Sequence, residues 1–231
     1  MKFQQPLKAV LLDLDGTLVE FKFNVKDAKN AMIAWLGKNG FSTTNLSDSL
    51  KSQEIIDRAQ AQWSSSRDLQ TQMEFENVKE SLFLLLEEFE YKGFLEAEAF
   101  PGSVEFLKIL ADSNVPSAIV TNSGRKPVNF AIEKFGFQPY VTQVITRNDV
   151  KKLKPYPDSL LLALELLGIG NKDTIYVGDS VIDIEAARRA GIKSVGLLSG
   201  MLDKQILSQA RPDFMIRDIS ELAQLVFGQD I

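Results

Sequence analysis

Asp13 and Asp15 stand one residue apart where the apolar run "AVLL" gives way to "DLDGT". On an extended chain residues i and i+2 point to the same side, so both carboxylates can face one crevice while Leu14 packs away from it. Gly16 lets the chain turn immediately afterwards. Two acids at this separation suit a divided task, in which one carboxylate attacks phosphorus and the other holds a proton for the departing alkoxide. Three further segments end apolar runs in polar residues. "AIVTNS" carries Thr121, "VITRND" with the following "KKLKPYP" carries Lys154, and "IYVGDSVID" carries Asp179 and Asp183.

Taken singly, each has an ordinary structural explanation. Asp-Gly between apolar residues is a hairpin signal, "TNS" and "GDS" can cap helices, and Lys154 can be a solvated lysine ahead of Pro155. Taken together they set four acids, Asp13, Asp15, Asp179 and Asp183, beside a lysine and a threonine. Crowded carboxylates repel one another and raise their own pKa values, so the group needs a cation. An all-oxygen set without imidazole or thiolate suits Mg2+, which takes one or two protein carboxylates and keeps other positions for water and phosphate. Thr121 and Lys154 then form the anion side. Unit charges roughly 4 Å apart interact by about 4 kcal/mol at an effective dielectric near 20, so a phosphate dianion nearing a bare aspartate meets a repulsion that metal and lysine offset.

These residues meet only if their segments end side by side, and the chain from Pro101 onward predicts that they do. Helix-patterned stretches ("PGSVEFLKILADSN", "KPVNFAIEKFG", "DSLLLALELLGIG", "VIDIEAARRAG", "SELAQLVFG") alternate with short apolar ones ("PSAIVTNSG", "VTQVITRND", "DTIYVGDS", "IKSVGL"). Such alternation with short connections predicts an α/β fold, a Rossmann-like parallel sheet with helices on both faces. Binding then belongs at the carboxyl ends of the strands. Between Pro6 and Pro101 there is no proline, and no glycine falls between Phe41 and Lys92. Nothing there forces the turns of a sheet, so an inserted all-helical subdomain is expected over residues 21–99, with the core formed by residues 1–20 and 100–231. Its helices are expected over Val25 to Lys38, Leu46 to Trp63 and Leu69 to Tyr91, the last with an apolar stripe of Leu82, Leu85, Leu86 and Phe89.

Composition narrows the chemistry further. The 231 residues are 45% hydrophobic, enough for a sizeable core. There is neither cysteine nor histidine, which excludes disulfides, thiolate nucleophiles, Ser-His-Asp triads and the usual zinc ligands. A formal net charge of -5 offers no basic field for nucleic acid or an anionic membrane. With no signal-like start and no apolar run near the roughly 18 residues of a membrane span, a cytoplasmic protein is expected.

The ordered set "DLDGT", "TNS", the Lys of "KPYP", and "GDSVID" with "AARRAG" resembles the haloacid dehalogenase-like hydrolase superfamily, in its phosphoglycolate-phosphatase-like branch with a helical cap. The likeness runs over nearly the whole chain. It implies a phosphatase acting on a small phosphorylated metabolite, with Asp13 the nucleophile that becomes an aspartyl-phosphate. Asp15 would be the general acid and base. Thr121 and Lys154 would hold phosphoryl oxygens, assisted by Asn122. Mg2+ would sit on Asp13, the backbone carbonyl of Asp15, Asp179 and, directly or through water, Asp183. The insert would be the cap that excludes water and selects the leaving group, with Phe23, Trp35, Trp63 and Arg67 as candidates for its inner face.

Glu20 replaces an aspartate that many relatives carry near the hinge. The absence of histidine argues against the superfamily's phosphomutases, and Asp15 argues against its dehalogenases. Phosphonate-cleaving relatives use a cap lysine, whereas Lys26, Lys29, Lys38 and Lys51 read as solvated helix faces. Phosphoglycolate, a nucleoside monophosphate, a sugar phosphate and pyrophosphate all suit such a site. A phosphoaspartate receiver is a rival from another class, but receivers are about half this length and carry no insert after the first strand. An inert binding module is the third reading.

Overall fold

A computed structural model describes residues 7–20, 22–198 and 204–227 of the chain. Phe21, where the insert is expected to begin, and Gly228, at the end of the expected closing helix, lie outside the described residues. The chain divides into two compact units, one of Met1–Phe21 with Ala97–Ile231 and one of Lys22–Glu96.

Among the described residues the first unit is built on six strands: β1 (Ala9–Leu12), β2 (Ser117–Val120), β3 (Gln143–Ile145), β4 (Thr174–Gly178), β5 (Lys193–Leu197) and β6 (Phe214–Ile216). They form one sheet in the order β3-β2-β1-β4-β5-β6, with every pairing parallel. All residues of β1, β2 and β4 are buried, as expected where helices cover both faces of a parallel sheet. Strand order reverses between β1 and β4, and ligand crevices open at such a switch point beyond the carboxyl ends of the strands. Asp13 follows the last residue of β1 and Asp179 the last residue of β4.

Helices α5 (Ser103–Asp112), α6 (Arg125–Lys134), α7 (Asp158–Leu167), α8 (Val181–Ala190) and α9 (Lys204–Gln209) precede successive strands and α10 (Ser220–Phe227) follows β6, numbered after the four helices of the second unit. On one face Leu160, Ala163 and Leu164 of α7 and Ala186, Ala187 and Ala190 of α8 pack with Leu11, Val120, Ile145 and Tyr176 of the strands. Small residues on α8 bring that helix close to the sheet, and each buried Leu or Ile contributes roughly 1.5–3 kcal/mol. Where the chain leaves and re-enters this unit, Glu20 N–H donates to Glu98 O at 2.8 Å and Phe100 N–H to Leu18 O at 3.0 Å, a short antiparallel clasp.

The second unit contains α1 (Val25–Lys38), α2 (Ser52–Ser65), α3 (Arg67–Gln72) and α4 (Phe75–Glu96). The helix expected from Leu46 begins instead at Ser52. Ser47 and Ser49 hydrogen-bond each other at 2.7 Å, and Lys29 Nζ donates to Asp48 O at 3.2 Å, so short polar side chains favour a turn here over a helix. The helix expected from Leu69 to Tyr91 is interrupted at Met73, whose backbone is extended and whose carbonyl accepts the Trp63 indole N–H at 2.8 Å. The buried seam of α4 runs through Phe75, Val78, Leu82 and Leu86, with Leu85 and Phe89 only half-buried. In the first unit, α9 and β6 are additions that the sequence pattern did not predict.

Candidate active site

Four loops beyond the carboxyl ends of the sheet bring the chemistry-bearing residues together. Asp13 N–H completes the ladder by donating to Val177 O at 2.9 Å, which fixes the backbone from which its carboxylate projects. The chain then curls, with the N–H groups of Thr17, Leu18 and Val19 all donating to Leu14 O. Leu14 is fully buried. Gly16 makes the turn at φ +79, and a Cβ there would lie 2.2 Å from Asp179 Oδ2. Gly178 is equally constrained, since its Cβ would fall 2.4 Å from that of Asp183. Gly16 thus lets the β1 and β4 loops approach closely, and Gly178 lets Asp183, in the first turn of α8, fold back against the end of β4.

Lys154 stands at the centre and is 3% exposed. Its ammonium donates to Asp13 Oδ1 at 2.8 Å, Asp183 Oδ1 at 2.7 Å and Tyr176 OH at 2.7 Å, with Val120 O at 3.3 Å. Asp183 is fully buried, and its Oδ2 accepts the Ser180 N–H at 3.1 Å and the Ser180 hydroxyl. Ser180 is the N-cap of α8, so the capping role and a place in the site coexist in "GDSVID". Lys154 is held from behind by Asn122. The Asn122 side-chain amide donates to Lys154 O at 3.1 Å, and its Oδ1 accepts the Lys154 N–H at 2.9 Å.

Asp15 faces a different set of partners. Its Oδ2 accepts the Ser123 hydroxyl at 2.7 Å and the Thr121 hydroxyl at 3.4 Å. Of the expected site residues, Asp13, Asp179, Asp183 and Lys154 form one cluster, Asp15 and Thr121 a second beside it, and Asn122 contacts Lys154 through the lysine's backbone atoms. Ser123, Tyr176 and Arg147 belong to the neighbourhood although sequence reasoning alone does not single them out. The buried Arg147 guanidinium donates to Asn122 O at 3.1 Å. Ser123 lies inside "TNS" and Tyr176 inside "IYVGDS"; a polar residue in or just beyond a buried strand, close to a charged one, was the available signal.

Electrostatics at this place are unbalanced. Burial raises the Asp13 carboxyl well above its ordinary pKa, and Asp183, Asp179 and Asp15 add to the rise against the opposing pull of Lys154. Asp179 is pushed up to about 7 by burial and then by Asp183 and Asp15. Burial favours loss of the Lys154 proton, but the charges of Asp13 and Asp183 overcome it and the net shift is upward. One lysine therefore faces more carboxylate than it neutralises. Asp13, Asp179 and Asp183 each present an oxygen within 4.8 Å of the others. A hard divalent cation such as Mg2+ suits this oxygen-only, charge-deficient donor set.

Comparison with known proteins gives the chain a family. A sequence model of haloacid dehalogenase-like hydrolases matches residues 7–191. The chain is 25% identical over 233 residues to the pyrophosphatase PpaX of Oceanobacillus iheyensis, covering 95% of this chain and 97% of that one. It is 28% identical over 241 residues to the phosphoglycolate phosphatase of Escherichia coli K12, covering 96% and 92%. A hydrolase from Pseudomonas syringae superposes with a TM-score of 0.62 at 25% identity over 91% of this chain and 94% of that one. A HAD-superfamily hydrolase of subfamily IA from Geobacter sulfurreducens PCA gives 0.56 at 22% over 95% and 96%. The match to the family spans most of the chain and takes in every loop described above, and this protein is an enzyme of the haloacid dehalogenase-like hydrolases.

Proposed function

We propose that this hydrolase is a Mg2+-dependent phosphatase that cleaves a small phosphomonoester by way of a phosphorylated Asp13. The observation that carries the reading is the Lys154 ammonium, fixed by Asp183 and Tyr176 and 2.8 Å from Asp13 Oδ1. A cation held against a carboxylate at a sheet edge serves no packing purpose, and removing such groups from water costs several kcal/mol each. It does serve a nucleophile that must receive an anion.

In this mechanism Asp13 attacks phosphorus and Asp15 protonates the leaving oxygen. Asp15 then takes a proton from the water that hydrolyses the phospho-aspartate. Thr121 and Lys154 donate hydrogen bonds to phosphoryl oxygens as charge builds on them. Asp13, Asp179 and the Asp15 carbonyl would hold Mg2+, with Asp183 reaching it directly or through water. When bound, the ion supplies the positive charge that lets a phosphate dianion approach these carboxylates. We assign exclusion of water and choice of leaving group to the helical unit, in the role of a cap spanning about residues 21–99. Relatives named phosphoglycolate phosphatase support a small phosphorylated metabolite as substrate. Inorganic pyrophosphate is a second reading, favoured by the likeness to a pyrophosphatase over nearly the whole chain.

Release of inorganic phosphate from a metabolite panel that includes pyrophosphate tests both readings. Turnover should appear with Mg2+ and vanish with EDTA. Asp13→Asn should release nothing above the blank while its circular dichroism stays native; wild-type turnover by that variant ends the proposal. A receiver would stop after about one phosphate per chain.

A further inference from the structure

Ser123 makes two contacts that divide the work of the second cluster. Its hydroxyl donates to Asp15 Oδ2 at 2.7 Å, the shorter of the two hydroxyl contacts to that oxygen. Its backbone N–H donates to Thr121 Oγ1 at 3.0 Å. The residue is 5% exposed, and its carbonyl accepts the Arg147 N–H at 3.2 Å, so neither contact swings freely. An N–H on Thr121 Oγ1 makes that oxygen an acceptor and turns the Thr121 proton outward. In the absence of substrate that proton points at Asp15 over a long 3.4 Å. The Ser123 hydroxyl in turn makes Asp15 Oδ2 an acceptor, which puts any proton carried by this carboxyl on Oδ1.

We propose that Ser123 is a positioning residue that locks the acid-base carboxyl of Asp15 through its hydroxyl and aims the Thr121 hydroxyl through its backbone N–H. The proposal rests on the phosphatase reading above. In the first half-reaction an Asp13 oxygen bonds to phosphorus, the bond from phosphorus to the leaving oxygen breaks, and the Asp15 Oδ1 proton passes to that oxygen. In the second, water attacks phosphorus, its proton returns to Asp15 Oδ1, and the bond to Asp13 breaks. Without the Ser123 hydroxyl the Asp15 carboxyl rotates out of line, and proton delivery fails where the leaving group most needs it.

Ser123→Ala keeps the backbone N–H and removes only the hydroxyl. The measurement is kcat/KM, which reports phosphoryl transfer to Asp13, for 2-phosphoglycolate and for p-nitrophenyl phosphate. The first leaves as a weakly acidic alcohol that needs a proton; the second leaves as a stable phenolate that does not. The variant should lose about 10- to 100-fold on phosphoglycolate, a part of the roughly 100- to 10,000-fold that general acid catalysis supplies, and under about threefold on the aryl ester. In the Asp15→Asn background the same substitution should change either rate by no more than about twofold, because it acts through Asp15. Equal losses on both esters, or full additivity with Asp15→Asn, mean a merely structural serine and overturn the proposal. Where the panel shows another alkyl phosphomonoester to be the substrate, that ester takes the place of 2-phosphoglycolate in the comparison; a wild type that releases phosphate from neither ester nor any member of the panel removes the phosphatase reading, and this inference with it.

Discussion

At Lys154 three acceptors lie within 2.8 Å of an ammonium that has three protons to give. Under the proposed mechanism a phosphoryl oxygen can therefore reach Lys154 only by displacing one of them, and Asp13 is the partner whose charge would disappear on esterification. Tyr176 and Asp183 are the lasting supports. Tyr176→Phe leaves the ring in the core and removes the hydroxyl, so it should cost about 1–3 kcal/mol in denaturant unfolding, the scale of a buried polar group left without its partner. Its kcat should fall as well, since Lys154 loses one of its two fixed anchors. Gly178→Ala tests how closely Asp183 must pack against the end of β4. Its Cβ, 2.4 Å from that of Asp183, should push α8 outward at about 1–3 kcal/mol and abolish the thermal shift expected from Mg2+ binding to the wild type. A variant as stable and as responsive to metal as the parent would show that Asp183 tolerates displacement from the end of β4.

Helix α8 is the element on which the candidate metal site and the lysine clamp both depend, because its N-cap Ser180 holds Asp183 Oδ2 while Asp183 Oδ1 holds Lys154. Ser180→Ala should lower stability by about 1 kcal/mol, a typical cap loss, and Tm by about 2–4 °C for a domain of this size. Activity should fall further than that small cost suggests. The elements themselves were unevenly legible in the sequence. Val25–Lys38 starts and stops where its pattern and "GKNG" predicted, and β1, β2 and β4 follow from apolar runs ending in polar residues. The late start at Ser52 and the break at Met73 were hidden because they depend on serine hydroxyls and on an indole ten residues away. Phe214–Ile216 is too short to announce itself as a strand. In the site, acids and lysine stood out by charge, whereas Ser123, Tyr176 and Arg147 acquire their meaning from neighbours far away in sequence.

For the whole molecule the excess of buried carboxyl charge sets how stability responds to pH. The Asp179 pKa of about 7 in the folded protein lies above its value near 4 in an unfolded chain. Below about pH 4 both states hold the proton. Between there and 7 the unfolded chain releases it while the folded one keeps it, so this contribution to stability is lost as pH rises through the folded value. Asp13 acts in the same sense. Metal-free protein should thus melt several degrees lower at pH 8 than at pH 5, and Mg2+, which on the proposed reading would compete with protons for these oxygens, should raise Tm more at pH 8. A flat Tm across that range would mean the carboxyls are better solvated than their burial implies. The sheet order has a consequence of another kind. The middle strand β1 is made first, yet it lies between partners that come much later; Lys8 at its start is tied to Asp173, 165 residues on. At ribosomal speeds of about 5–20 residues per second, its apolar "AVLL" must wait on the order of ten seconds for a neighbour to emerge. That delay leaves the edges of β1 unpaired during synthesis, and any pause in translation before β2 prolongs the exposure.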